Sequence, residues 1–316
     1  MNNNMQNRAM RDVFIETIYN RMSADESIFF LTADFGSPYL DQIRKDFSDR
    51  FINVGIAEQN LVNVATGLAL ENCVVYAYAI APFLTMRAYE QIRTNLAISS
   101  QVRPLNVNLV GVGAGFSYGL SGPTHHCYED LTIMRLLPNM VLFSPSDWKL
   151  AEGFVDYSTK VNKPKYIRFD GKAMPPIYDI VDDELLSRGF CELVSGRKVC
   201  IVSTGYMTHK ALEVAKGLKD VGVVDVFMLQ TLCEEGLLRV LKKYELIVTV
   251  EEAFVGKGGL DSLVAGLLRK NDLNIRMESL GIGERYVFEL GPREHLHEIN
   301  HIDCESIAST IRRHMM

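Results

Sequence analysis

The chain has 316 residues, 47% of them hydrophobic and 23% charged, with a net charge of −6 and a mean hydropathy of +0.04. That length can bury a substantial core in one large or two ordinary domains. The acidic balance argues against an exposed nucleic-acid surface, and no run approaches the roughly 18 apolar residues of a membrane span.

The start, Met1-Asn-Asn-Asn-Met-Gln-Asn7, has no hydrophobic signal core, so a cytoplasmic location is expected. Cysteines at 73, 127, 191, 200, 233 and 304 show neither a Cys-x-x-Cys pair nor metal spacing. Buried free thiols in a reducing compartment are the expectation.

In chain order, residues 8–22 carry Val13, Phe14, Ile18 and Met22 on one face of an amphipathic helix. Ile28 to Thr32 is a continuous apolar strand, followed by the turn Ala33-Asp-Phe-Gly-Ser-Pro38 and a helix over Leu40 to Phe47. Phe51 to Val54 is a short strand that turns at Gly55 into a helix, with Leu61, Val64, Ala65, Leu68 and Ala69 at buried-face spacing. Cys73 to Tyr78 is a strand, and a long helix begins at Pro82 and runs to about Ser99, with proline suited to its first turn. Leu105 to Val112 is a buried strand ahead of the loop Gly111-Val-Gly-Ala-Gly-Phe-Ser-Tyr-Gly119. The segments 128–137, 140–143, 147–160 and 166–169 continue the alternation of strands and helices. Such alternation predicts a mostly parallel sheet with helices on both faces.

Two prolines and a group of acids in residues 173–186 mark a connection. A second alternating series follows: strands at 190–194, 199–203, 223–227, 246–250 and 274–280, with helices at 208–219, 234–243, 258–270 and 304–314. The expected fold is α/β, two consecutive open-sheet domains at residues 1–172 and 187–316 joined by the 173–186 linker.

Glu58 falls in the first turn of a helix that follows a strand, where ligands approach an open α/β sheet. The same position suits a carboxylate that merely opposes the helix dipole. In an apolar surround, however, such a carboxylate needs a specific partner. The stretch Ser121-Gly-Pro-Thr-His-His126 offers small residues and two histidines ahead of a helix, which suits a small polar ligand as well as a turn or cap hydrogen bond. Adjacent histidines in a loop point apart and have no third ligand at useful spacing, so no metal is expected on this chain. Ser146-Asp147 reads as an N-cap signal. The Gly258-Gly259 pair before a helix resembles an anion loop but is read as tight strand-to-helix packing.

Gly55-Ile-Ala-Glu-Gln-Asn60 and Gly122-Pro-Thr-His125 resemble segments of transketolases and related thiamine-diphosphate enzymes. The resemblance spans nearly the whole chain. It implies a pyrimidine-binding domain followed by a transketolase C-terminal domain, the C-terminal half of a split transketolase. On it, Glu58 hydrogen-bonds the cofactor's aminopyrimidine, with Ile56 beside it, and Phe83 stacks on that ring. Tyr89 and Tyr78 are weaker stacking candidates. His125 takes the catalytic role, with His126 and Ser121 near the substrate. Arg168, in Lys165-Tyr-Ile-Arg-Phe-Asp170, holds a substrate anion or makes a structural salt bridge.

The family's Gly-Asp-Gly…Asn segment, which holds diphosphate and Mg²⁺, does not occur in this sequence. A companion N-terminal transketolase subunit is expected to supply it, in an α2β2 heterotetramer in which copies of this chain self-associate. Sugar substrates are implied, with no nucleic-acid or membrane partner. Ser121 stands where sugar-phosphate transketolases carry an acid, and Gly113 stands near the place of a phosphate-contacting histidine. A modified or nucleotide-linked sugar fits those departures. The β subunit of a 2-oxo acid dehydrogenase and a non-catalytic stabilising subunit are the competing readings.

Overall fold

The structure, a computed structural model, describes residues 6–315. The asparagine-rich start, residues 1–5, lies outside them. The chain forms two compact units. One takes residues through Ala114, Leu136–Phe143 and Asp147–Val181; the other takes Gly115–Arg135, Ser144–Ser146 and the chain from Asp182 onward.

In the first unit β1 (Arg8–Ala9) leads into α1 (Met10–Met22), β2 (Ile28–Thr32), α2 (Pro38–Asp46), β3 (Phe51–Asn53), α3 (Glu58–Leu70) and β4 (Val74–Ile80). After β5 (Val107–Val112), the second unit contributes α5 (Asp130–Arg135), and β6 (Val141–Phe143), α6 (Trp148–Lys160) and β7 (Lys165–Phe169) complete the first sheet. Its order is β3-β2-β4-β5-β7-β6, and every pairing is parallel. β5 is buried throughout, as a strand covered on both faces must be. At Gly111 a Cβ would stand 2.8 Å from the Tyr166 ring, so glycine makes room for that side chain. Phe14 packs edge-on against Tyr76 and Phe169, and Phe143 stacks on Phe154 at 3.8 Å. Each such buried aromatic contributes about 1.5–3 kcal/mol.

The long helix expected from Pro82 is not regular. π turns at Phe83–Arg87 and Ile92–Ile98 flank α4 (Tyr89–Gln91), and a 3₁₀ turn at Ser99–Gln101 ends the run. The cause is local. Thr85 and Thr94 donate their hydroxyls to the carbonyls of Ala81 and Glu90, both at 2.8 Å, competing for the acceptors that a regular α-helix uses.

The expected linker also holds structure. β8 (Ala173–Met174) pairs antiparallel with β1, and α7 (Asp183–Arg188) is capped by Asp182 and ended by Gly189 at φ 78°. The second unit continues through β9 (Phe190–Val194), β10 (Val199–Ser203), α8 (Met207–Lys216), β11 (Val221–Val226), α9 (Glu234–Leu241), β12 (Leu246–Phe254), α10 (Leu260–Lys270), β13 (Arg276–Ile282), α11 (Arg293–Ile299) and α12 (Cys304–Met315). Its sheet order is β13-β12-β10-β11-β9, parallel except for the edge strand β9. The chain reverses direction across the sheet on either side of β10, so the crevice beyond the carboxyl ends of β10 and β12 is the topological switch point. Among the described residues no helix is long and apolar enough to cross a membrane.

Candidate active site

In the first unit, α3 begins at Glu58, whose residue is only 5% exposed. The apolar face of the helix carries the carboxylate inward, and its charge needs a partner there. The partner is Arg87, whose Nη1 donates to both carboxylate oxygens at 3.2 and 3.3 Å. The same guanidinium lies over the Phe83 ring, 4.1 Å from its centroid. The π turn from Phe83 to Arg87 sets that stacking. Arg87 is therefore the residue that joins Glu58 to Phe83. Its side chain is 49% exposed, so the pair opens directly to solvent. Ile56, in the turn ahead of α3, is 75% exposed.

A planar group bearing N–H donors, stacked on Phe83 and bonded to Glu58, is what an aminopyrimidine also presents. The Glu58 carboxyl and the Phe83 face thus fit the pyrimidine end of thiamine diphosphate. Tyr78 does not belong to this cluster: it is fully buried, stacks on Phe35 and donates to Gly36 O at 3.2 Å. Tyr89 is half-buried, and burial raises its phenol pKa. Arg168 lies on β7 beside Gly111 of β5 and is buried, so its guanidinium is no open surface cation.

In the second unit, the loop carrying Ser121, His125 and His126 is pinned at its base. Gly115 N donates to Cys127 O at 2.8 Å, and Cys127 N donates to Gly115 O at 3.0 Å. Tight turns follow: Ser121 N bonds Tyr118 O, and His125 N bonds Gly122 O, with Gly122 at φ +76°. Ser121 is exposed. His125 is half-buried, with Nδ1 3.1 Å from the Thr124 hydroxyl.

His126 is turned away from the loop surface. It is 1% exposed, its ring packs edge-on against Phe116 at 5.1 Å, and neither ring nitrogen has a hydrogen-bond partner. Burial pushes its pKa down, against a weaker pull from the Gly119 backbone. Neighbouring side chains on the loop point opposite ways: where His125 stays accessible, His126 goes inside.

Two bland readings take definite form. Asp147 caps α6, its Oδ1 accepting from Leu150 N at 2.8 Å and its Oδ2 from Tyr178 N at 2.9 Å. Ahead of α10, Glu251 accepts from Leu260 N and Asp261 N, both at 2.8 Å, and a Cβ on Gly259 would overlap its carboxylate. The chain's own carboxylate fills the place an anion would take.

Sequence reasoning missed Arg87, although cation and ring stand four apart. It also missed Glu252, Arg293 and His297, which meet in a buried cluster. Glu252 Oε1 accepts from Arg293 Nε at 2.7 Å and from His297 Nε2 at 2.6 Å, while Oε2 accepts from Arg293 Nη2. Burial alone would raise the Glu252 pKa. The Arg293 charge and hydrogen bonds, with His297, overcome it and hold the carboxyl well below the usual carboxylate range. The available signal was Pro292 followed by Arg293 and His297, one helical turn apart on α11. Among the described residues no group of three or more His, Cys, Asp or Glu side chains is placed to hold a metal ion.

The parallel first sheet, the second sheet with its antiparallel edge, and a buried acid at a strand-to-helix turn define a two-unit α/β protein with a candidate ligand site at that turn. Comparison with known proteins narrows the class. The transketolase pyrimidine-binding domain family matches residues 6–176, and the transketolase C-terminal domain family matches residues 191–307. One of the subunits of an apulose-4-phosphate transketolase from Actinobacillus succinogenes is 34% identical over 267 residues, 83% of this chain and 84% of that protein. The putative transketolase C-terminal section of Methanocaldococcus jannaschii is 31% identical over 314 residues, 98% of this chain and 96% of that protein. A solved structure described as a split-gene transketolase, an inactive β4 tetramer, superposes with a TM-score of 0.84 at 30% identity, covering 96% of this chain and 97% of that one. The chain belongs to the transketolase family and corresponds to the C-terminal half of a split transketolase.

Proposed function

We propose that this chain is the C-terminal subunit of a thiamine-diphosphate-dependent transketolase that moves a two-carbon ketol unit from a ketose to an aldehyde. A companion subunit carrying Gly-Asp-Gly…Asn holds the diphosphate and Mg²⁺, in an α2β2 assembly in which copies of this chain also meet. The assembly works in the cytoplasm. The carrying observation is Glu58: a buried carboxylate that shares one planar N–H donor with the face of Phe83.

When bound, thiamine diphosphate supplies the carbon nucleophile for carbon–carbon bond cleavage. Glu58 shares one proton with the pyrimidine ring nitrogen, donating it while the acid is protonated and accepting from the nitrogen once the proton has moved there. Phe83 provides the stacking face, Ile56 covers the ring edge and Tyr89 borders it. His125 donates to, and takes a proton from, the substrate oxygen at the reacting carbon. Ser121 sits in the same loop and reads a substrate hydroxyl, and Arg168 balances the negative charge of a substrate phosphate or other anion.

Ser121 in place of an acid favours a modified sugar over the ordinary pentose phosphates. The relative named for apulose-4-phosphate supports that substrate class and supports a phosphorylated substrate over a nucleotide-linked one.

The test is reconstitution with the companion chain, thiamine diphosphate and Mg²⁺ against a panel of ketose donors and aldehyde acceptors. Ketol transfer by the pair, and by neither chain alone, is expected. Turnover by this chain alone, or acyl transfer from a 2-oxo acid, would refute the proposal.

A further inference from the structure

The switch-point crevice of the second sheet, where an open α/β sheet takes its ligand, is floored by Glu252 at the end of β12. Glu252 is 3% exposed, and its partners Arg293 and His297 are 2% and 1% exposed. The Arg293 guanidinium lies 3.6 Å from the centroid of the Tyr206 ring. This is a charged cluster with no solvent access, on the side of the sheet where chemistry is usually done.

What lies on that floor is the base of the chain's own loop. Gly115 adopts φ +55°, and a Cβ built on it would overlap the Glu252 carboxylate and stand 2.6 Å from Glu252 Cβ. Its backbone rests directly on the acid, at a position only glycine can fill without displacement. The next residue, Phe116, is fully buried with its ring centroid 6.2 Å from that of His297, and it meets His126 and Tyr128 edge-on. Farther along, a Cβ on Gly119 would stand 2.6 Å from Gly291 O and 2.8 Å from Leu296 Cδ1 of α11, the helix that supplies Arg293 and His297. The Gly115–Cys127 hydrogen bonds close the loop above these contacts.

We infer that Glu252, locked by Arg293 and His297, is a positioning residue. It fixes the base of the 115–127 loop, and His126 anchors the far limb, so that His125 is presented in one orientation. The second unit's ligand crevice is thus used to grip a loop of its own chain in place of a small molecule. The catalytic half of this inference rests on the role proposed above for His125; the mechanical half does not.

Amide hydrogen exchange on the purified chain reads the mechanical half. Glu252→Gln is expected to speed exchange over residues 116–126 by about 10-fold or more beyond the uniform increase that any loss of global stability produces in the amides of β10 and β11. In the reconstituted enzyme kcat should fall by up to about 10²-fold with cofactor affinity unchanged, the signature of a misplaced group. Should Glu252→Gln fail to fold, Gly115→Ala tests the same contact from the loop side and should give the same local signature. Unchanged loop exchange in either folded variant overturns the clamp. His125→Ala is expected to lose turnover with loop exchange as in the wild type. If it keeps turnover while Glu252→Gln loosens the loop, the catalytic reading and the positioning role fall, and only the mechanical contact stands.

Discussion

Two glutamates of this chain are nearly as buried as each other, and each faces an arginine. Glu58 meets Arg87 at 3.2–3.3 Å through one nitrogen of a half-exposed side chain. Glu252 meets Arg293 through two nitrogens and His297 through a third, and all three residues are inaccessible. A pair with one exposed member is worth at most about 1 kcal/mol, so its cation can leave for a better partner. A fully buried, multiply bonded acid has no such freedom, because losing one partner strands the other charge. The replaceability of the partner, more than the burial of the carboxylate, separates a ligand site from a structural one.

The largest expected effect lies on the locked side. Glu252→Leu should cost about 3–5 kcal/mol in a urea melt, and adding Arg293→Met should restore most of it. A single variant as stable as wild type would show that the cluster holds nothing. On the open side, Glu58→Ala should lower ketol transfer by about 10²-fold or more. Its stability should change by no more than about 1 kcal/mol. A large loss of stability with little loss of rate would reverse the two roles.

Acid sharpens the contrast. The folded pKa of Glu252 lies below its unfolded value, so its contribution is present above about pH 4.3 and is lost as pH falls toward the folded pKa. The stability gap between wild type and Glu252→Gln should therefore be constant near neutrality and narrow below that pH. A gap that widens on acidification would contradict the linkage. The smallest effect belongs to Arg87→Ala. If the guanidinium occupies the ring's place on Phe83, removing it should tighten cofactor binding by up to about 5-fold, the equivalent of a weak exposed pair. A 10-fold weakening in a cofactor titration would make Arg87 a ligand of the cofactor.

The parallel architecture was legible because short, largely apolar runs such as those of β4 and β5 alternate with helical segments, as strands buried on both faces do. The segments around Glu58 and His125 were legible because glycines there force turns before helices. Other features left weaker traces. The π turns after Pro82 depend on threonine hydroxyls competing for carbonyls, which no hydrophobic period reports. Helix α11 is short and turns Arg293 and His297 inward beside Leu296, which blurs an amphipathic pattern. Lys165 is fully buried on a strand, donating to Asn106 Oδ1 and to the carbonyls of Val161 and Lys163, and burial lowers its pKa well below the usual range. Nothing in the spacing of its neighbours marks that burial. In each case a polar group satisfied within the fold, by a nearby carbonyl or a buried side chain, broke the pattern.

The central claim is that Glu58 reaches the ring nitrogen of the cofactor's pyrimidine. Its most direct test is a thermodynamic cycle on the reconstituted pair. Thiamine diphosphate, and an analogue in which that nitrogen is replaced by carbon, are titrated into wild type and into Glu58→Gln. A coupling of about 1.5–3 kcal/mol between the side chain and the nitrogen is predicted, as for a hydrogen bond to a charged group. Equal loss of affinity for the analogue in both proteins, a coupling of zero, would contradict it.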